Sequence, residues 1–222
     1  MLKLSMQLID KPNDIQKVVD GLLIKELNGV LSKAADSARS PITELVAETI
    51  RGSSEVQTLN SSIVRGSLGL KSSQVKRAID AVSEAVSSTT QIITKQLKKS
   101  GTKIHGGLTV NIQPSDLKNV LSLGEGQITY RSSTYKTSVN LDWLKWLLQK
   151  GDSIIVGKFD FSIQPGTGRS GQGTMKKNVG GWRVPPSIAG TIEDNFVTRA
   201  FDTTTQTRMM AIIEKSMKEF WG

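Results

Sequence analysis

The sequence predicts an α+β fold in which an N-terminal helical half is followed by a small antiparallel β-sheet packed with a C-terminal helix. Two observations predict this class. Over most of the first hundred residues, apolar side chains recur every three or four positions, which is the period of an amphipathic helix. From Lys103 onward, apolar and polar residues alternate as they do in strands. We therefore expect a helical region over residues 1–100 and an α+β domain over residues 101–222.

Three helices are predicted in the first region, over residues 12–38, 41–51 and 72–99. The second begins at a proline, which is typical of a first helical turn. Gly21 and Gly29 weaken the first helix by about 1 kcal/mol each relative to Ala, so we expect packing to stabilise it. Its apolar face consists of Ile15, Val18, Val19, Leu22, Leu23, Leu27, Val30, Leu31, Ala34, Ala35 and Ala38.

Strands dominate the predictions for the second region. The strongest strand covers residues 153–163, and weaker ones cover residues 104–112 and 127–131. A short helix is expected over residues 140–150. A last helix is expected over residues 192–220, with a break at its Thr-Thr-Thr run.

The extended loop 164–190 is Gly-rich and basic, with seven of the twenty glycines and no acidic residue. Loops of this length in compact domains are usually functional. We interpret it as a hairpin arm that reaches a neighbouring subunit, with Trp182 as its anchor. The alternative is that its basic side chains grip a phosphate backbone. The subunit-interface candidates are Arg169, Met175, Lys176, Lys177, Trp182, Arg183, Pro185 and Pro186, and the DNA-facing candidates are Arg169, Lys176 and Lys177.

Composition excludes several kinds of chemistry. The chain has no Cys, so it can form neither a disulfide nor a thiol nucleophile, and its single His excludes a multi-histidine metal site.

The net charge of +9 favours an anionic partner, although the basic excess is shared by both halves of the chain. No apolar run is long enough to span a membrane. Residues 1–10 lack the apolar core of a signal peptide, so we expect a protein that is made and kept in a cytoplasm until it is assembled.

Two motifs have simple structural interpretations. Gly166, Gly168 and Gly171 match the spacing G-x-G-x-x-G, but a dinucleotide site needs a helix directly after the glycines, and this segment continues Gly-rich. Glu193 and Asp194 form the only adjacent acidic pair and could serve a carboxylate hydrolase. We interpret them instead as first-turn residues of the last helix. No catalytic, cofactor-binding or metal-binding residues are predicted.

Six segments of the second half carry a family resemblance, and they are Leu141–Leu148, Gly151–Val156, Gly168–Met175, Gly181–Pro186, Ala189–Thr191 and Asn195–Ala200. In these segments the chain resembles virion proteins of tailed bacteriophages, of the neck or head–tail connector class. The similarity covers roughly residues 103–201, and residues 59–70 fit the same group less specifically.

The resemblance implies a structural protein that is not an enzyme. Such a protein forms a cyclic homo-oligomeric ring between portal and tail, around the DNA passage, after assembly in the host cytoplasm. Its partners are the portal or an adaptor and tail proteins, and any DNA contact is non-specific. A tail-terminator or other collar position remains open. The main alternative from the residues is a basic DNA-binding protein, and a weaker one is a hydrolase that uses carboxylates alone.

Overall fold

The computed structural model describes residues 11–112, 116–131 and 138–221, and it confirms the predicted α+β class. Residues 1–10, on which the signal-peptide expectation rests, lie outside the described residues. The helices are α1 (Pro12–Arg51), α2 (Ser54–Leu59), α3 (Ser62–Ser67), α4 (Ser72–Ser87), α5 (Lys118–Leu121), α6 (Trp143–Gln149), α7 (Phe196–Arg199) and α8 (Thr203–Trp221).

The described strands form three separate two-stranded antiparallel sheets, not the single small sheet that we predicted. Long hairpins account for two of them. The pairs are β1 (Gln91–Ser100) with β2 (Lys103–Asn111), β3 (Ile128–Arg131) with β4 (Ser138–Leu141), and β5 (Ile154–Ile163) with β6 (Gly173–Arg183).

Two compact units interleave along the sequence. The first unit contains the described residues up to Pro41, the β1–β2 hairpin and the residues from Met210 onward. The second contains Ile42–Thr90 and Ile112–Met209. This division differs from the boundary near residue 100 that we predicted.

The helix α1 continues through Pro41, where we predicted a new start. A proline inside a helix removes one backbone hydrogen bond. Side-chain packing compensates for this lost hydrogen bond. The residues that follow on the same helix are fully buried, among them Ile42, Val46 and Ile50.

The third predicted helix is shorter than expected, because residues 91–100 form β1. The helix α4 ends at Ser87, and the next residues include the β-branched pair Ile92 and Ile93, which favour a strand. Gly101 has a φ of +62° and closes the hairpin between Ser100 and Lys103. A glycine at the first of two turn positions is the type II′ signature, and this turn signal was missed.

A bulge in β1 joins the first hairpin to α1. Between Lys95 and Lys98 the register shifts, so that Gln96 and Leu97 together face Gly106. At this bulge the backbone N–H of Leu97 donates to Oδ1 of Asn28 at 2.7 Å. In return, Nδ2 of Asn28 donates to the carbonyl of Leu97 at 3.3 Å. The Asn28 side chain thereby satisfies backbone groups that a bulge leaves unpaired.

The core of the second unit combines aliphatic side chains from its helices with one tryptophan from α6. Trp143 is buried, and its indole N–H donates to the carbonyl of Glu125 at 3.0 Å. The largest fully buried side chains of this unit include Ile42, Ile50, Leu59, Leu68, Leu70, Leu117, Leu144, Leu147, Leu148 and Ile188.

The last predicted helix is divided into α7 and α8, and the division lies before the Thr-Thr-Thr run. Asn195 begins α7, because its side-chain oxygen accepts hydrogen bonds from the N–H groups of Val197 and Thr198. Asp202 accepts from the N–H of Thr205 at 2.8 Å, which caps α8. The threonines therefore form the first turn of α8.

Candidate interaction surface

The predicted site residues lie on or beside the β5–β6 hairpin, which replaces much of the predicted loop. Residues 173–183 are strand β6, and only residues 164–172 make the turn. Within that turn Gly166, Gly168 and Gly171 all have positive φ. The chain then enters a strand, whereas a dinucleotide fingerprint opens a helix.

The tip of the hairpin is held by the second unit itself. Arg169 donates from Nε to the carbonyl of Gly69 at 3.2 Å, and Ser170 donates to the carbonyl of Gly66 at 3.3 Å. Gly69 has a φ of +73°, and a Cβ there would overlap the Arg169 guanidinium. The tip is therefore held within its own chain, and its predicted reach to a neighbouring subunit stays a prediction. Arg169 binds the end of α3 within its own chain.

The base of the hairpin is held as well. Trp182 is only 6% exposed, and its ring meets that of Trp146 edge-on, with centroids 6.1 Å apart and planes at 67°. This geometry is favourable for aromatic pairs. In this conformation Trp182 packs against its own chain, and its role as an anchor to a partner stays a prediction.

The remaining candidates at the base are more exposed. Arg183 forms a surface ion pair with Asp152 at 3.6 Å. Pro186 is exposed and Pro185 is half-buried. The carbonyl of Pro185 accepts hydrogen bonds from Ile188 and Ala189, so the prolines begin a tight turn.

The middle of the hairpin bulges outward between its two fixed ends. Gly157 faces Gly181 and Phe159 faces Lys177, so β6 has two more residues than β5 in this interval. Lys158 lies opposite the extra residues with a φ of +61°, a strained value for a residue with a side chain. Val179, at the bulge, is 99% exposed.

Polar contacts hold this bulge in shape. The Asn178 amide donates to the carboxylate of Asp160 across the hairpin, and the N–H of Val179 donates to Oδ1 of Asn178 at 2.7 Å. The exposed valine therefore sits on a hydrogen-bonded backbone.

The two faces of the hairpin differ in polarity. Directly opposite residues share a face, and successive residues alternate. One face carries Asp160 and Lys176, which are register partners, together with Ser162 and Thr174. The other carries Phe159, Phe161, Ile163, Met175 and Lys177.

Near the tip, α3 covers part of the apolar face, since a Cβ on Gly66 would lie 3.2 Å from the ring of Phe161. Farther along, Phe159 and Lys177 remain accessible beside Lys158, Asn178 and Val179, and these five residues line an open groove of about 610 Å³. We call these five residues the hairpin surface.

The three DNA-facing candidates are thus not gathered in one patch. Arg169 binds α3, Lys176 lies on the polar face opposite Asp160, and Lys177 lies on the apolar face. Lys177 and Lys158 line the same groove, and sequence reasoning did not select Lys158.

A charged network that sequence reasoning missed joins α2 to α7. Glu55 is buried, and its carboxylate accepts a hydrogen bond from Arg199 at 3.0 Å. Arg199 also pairs with Asp194 at 2.6 Å. Asp194 precedes the Asn195 cap, so it does not lie in a first helical turn as we predicted. The pairing spans 144 positions, and no local sequence signal indicates it.

The pKa values follow from this geometry. Burial raises the pKa of Glu55, but hydrogen bonds from Arg199, its own backbone and Ser54 outweigh burial and hold it below the ordinary value. The hydrogen bond from Arg199 lowers the pKa of Asp194, and the two carboxylates raise the pKa of Arg199. All three groups are therefore charged at neutral pH.

Comparison with protein-family models, with curated proteins and with solved structures gave no match. Among the residues that the structure describes, no three His, Asp or Glu side chains come together as metal ligands. Within the same ranges, no helix combines the length and apolar content needed to cross a bilayer.

Proposed function

We propose that this chain is a structural virion protein that forms a ring in the neck or head–tail connector of a tailed phage. It would surround the DNA passage between the portal, or an adaptor, and the tail. The resemblance carried by residues 141–200 is the reason for proposing this class. The proposed role is assembly in the host cytoplasm without catalysis, and a tail-terminator or collar position would use the same kind of contact.

One structural observation supports assembly: the hairpin surface presents the apolar side chains of Phe159 and Val179 beside two lysines, and it is accessible and held in shape. Val179 is almost fully exposed, while the tip and the base of its hairpin are bound to the same unit. A rigid surface loses little conformational entropy when a partner covers it. In the described chain β5 and β6 also pair only with each other, so each has an outer edge that a neighbour can contact.

Replacing Val179 with Asp tests this proposal. Because Val179 is exposed, we expect the variant to remain folded. A charge at this position must be desolvated when a partner covers it, so we expect the variant to lose higher oligomers. Ile63→Asp is the matched control, because Ile63 is also exposed and belongs to α3 of the same unit. Light scattering with chromatography gives the mass, and circular dichroism reports folding. Unchanged oligomers in Val179→Asp, or equal loss in both variants, would contradict the role of the hairpin surface.

The alternative is a DNA-binding protein, and the observation that favours it is the placement of Lys158 and Lys177 on one groove of a chain with net charge +9. A connector must let DNA slide, so its binding should be weak and independent of sequence. If lysines neutralise phosphates, log affinity falls with log salt by about 0.9 per contact. Tight, sequence-selective binding at physiological salt would favour the alternative.

A further inference from the structure

The N-terminal part of α1 exposes a stripe of large apolar side chains. They recur at steps of three and one, so they form a broad face along two turns of the helix. Their exposed fractions run from 38% for Ile15 to 63% for Leu22. Contiguous apolar patches on monomers usually mark a contact. The stripe consists of Ile15, Val18, Val19, Leu22 and Leu23.

Residues 13–19 of this helix are exposed on every side, but from Asp20 onward the side opposite the stripe contacts the β1–β2 hairpin. Asp20 pairs with Lys99, and Asn28 binds the backbone of Leu97, so the β1–β2 hairpin contacts α1 at two positions eight residues apart. Residues separated by four or eight positions lie on the same side of a helix, and this side faces away from the stripe. The first unit therefore uses one side of α1 for its own fold and leaves the other exposed.

The charges around the stripe favour a second copy of the chain as its partner. Although the whole chain carries +9, residues 11–27 contain three basic and three acidic residues, so this segment is neutral. Two copies that repel each other elsewhere can approach along a neutral apolar surface. A strongly acidic or basic partner would find no charge complement on this face.

The order of residues along the stripe is self-complementary. Lys11 directly precedes α1 and lies before the stripe, and Glu26 follows the stripe on the same side of the helix by helical spacing. Neither forms an ion pair within the described part of the chain. Both are exposed. Opposite charges at the two ends suit an antiparallel pair of identical helices.

We infer that α1 pairs with the same segment of a second copy, antiparallel, about a two-fold axis between Val18 and Val19. In this register Lys11 of each copy faces Glu26 of the other. Ile15 faces Leu22, and Val18 faces Val19. One axis thus matches four of the five stripe residues with each other and basic with acidic side chains, as an isologous interface requires, while Leu23 falls opposite Asp14.

This contact is independent of the proposed ring. An isologous pair closes at two copies, whereas a ring needs a head-to-tail contact between different surfaces. The stripe belongs to the first unit and the hairpin surface to the second, so the two proposals can be tested by separate variants.

Single cysteines test the pairing cleanly, because the full chain contains none. In the variant Val18→Cys, the two cysteines lie near the two-fold axis and are offset by only about 1.5 Å along the helix axes. Mild oxidation should therefore yield a covalent dimer. Lys17→Cys is the control, since Lys17 is exposed on the other side of the helix. It should give no more dimer than random collision does.

Mixing two variants tests the antiparallel register. Ile15→Cys and Leu22→Cys should each crosslink poorly alone, because their own copies lie about 10 Å apart along the axis. The mixture should crosslink well. Efficient crosslinking of each alone would indicate a parallel pair and overturn the register.

Charge reversal gives a third readout without cysteines. Glu26→Lys should raise the dimer dissociation constant in analytical ultracentrifugation by about tenfold, through two lost pairs and two repulsions. Combining it with Lys11→Glu should restore most of the affinity. A wild-type chain that stays monomeric over the concentration series, or equal crosslinking of Val18→Cys and Lys17→Cys, would overturn the inference.

Discussion

Asn28 and Leu97, 69 positions apart, exchange two hydrogen bonds between a side-chain amide and a strand backbone. The bulge in β1 makes this possible, because it turns the N–H and C=O of Leu97 away from β2. An amide is suited to this position, since it donates and accepts at once. The relationship explains how a two-stranded hairpin, which is marginal by itself, is fixed to a long helix.

Asn28→Ala should lower the free energy of unfolding by about 1–3 kcal/mol, because the Leu97 backbone groups lose their partner. Urea denaturation followed by circular dichroism measures the change. Gln16→Ala on the same helix is the control, since Gln16 makes only an exposed hydrogen bond to Asp20. An equal effect of both substitutions would contradict the bulge-binding role of Asn28.

Gly106→Ala should destabilise the first hairpin more than Gly101→Ala does. Both glycines have positive φ, +139° and +62°, which disfavours alanine. At Gly106 a Cβ would also lie 2.6 Å from the carbonyl oxygen of Gln96, whereas Gly101 has open space. We expect losses of roughly 2–3 kcal/mol and about 1 kcal/mol respectively. Thermal unfolding of the two variants gives the order, and the reverse order would refute the close approach at the bulge.

Arg199→Ala should destabilise the chain in a pH-dependent way. In the wild type, the pKa of Glu55 is lowered on folding, so its contribution is present above the unfolded pKa and disappears as the pH falls through the folded one. Without Arg199, burial is opposed only by the hydrogen bonds from the Glu55 backbone and Ser54, so the pKa of Glu55 rises relative to the wild type. The loss should be about 2 kcal/mol at neutral pH, less than for a fully buried pair because Arg199 is partly exposed.

The same difference between wild type and Arg199→Ala should shrink as the pH falls below about 4, where Glu is ordinarily protonated. Denaturation at several pH values measures it. Arg39→Ala removes an exposed ion pair with Asp36 and serves as the control, with little change expected at any pH. A pH-independent loss in Arg199→Ala would show that packing, not charge, is its contribution.

Trp182→Ala should act on folding. Its buried ring packs on Trp146, so truncation should lower the free energy of unfolding by about 3–5 kcal/mol. Arg183→Ala, at the neighbouring exposed position, should change it by less than about 1 kcal/mol. Thermal denaturation separates the two. A stable Trp182→Ala variant with impaired oligomers would support the anchor role.

The periodicity of apolar residues predicted those helices and strands whose own residues show a regular apolar spacing. The helical face of α1 and the strand β5 were both found, because apolar spacing reports which side of an element can be buried. It does not report whether that side is buried in the same chain. Ile15 and Leu22 belong to the predicted face, yet the described fold leaves them exposed.

Contacts that are distant in sequence account for what was missed. The glycines of residues 173–183 predicted a loop. In the structure these residues form a strand, because pairing with β5 supplies their backbone hydrogen bonds. The sequence predicted Trp182 as a surface anchor, because nothing near it in the sequence indicates that Trp146 packs against its ring. The partner of Glu55 lies 144 positions away. Single-sequence patterns contain no information on such pairings.

Electron microscopy of the purified full-length protein, combined with its mass by light scattering, tests the proposed ring most directly. The account predicts closed particles with a central opening wide enough for duplex DNA and a mass that is a whole multiple, above two, of 24.1 kDa. Val179→Asp should lose these particles while Ile63→Asp keeps them. Particles that never exceed two copies, alone or with portal and tail proteins, would contradict the ring.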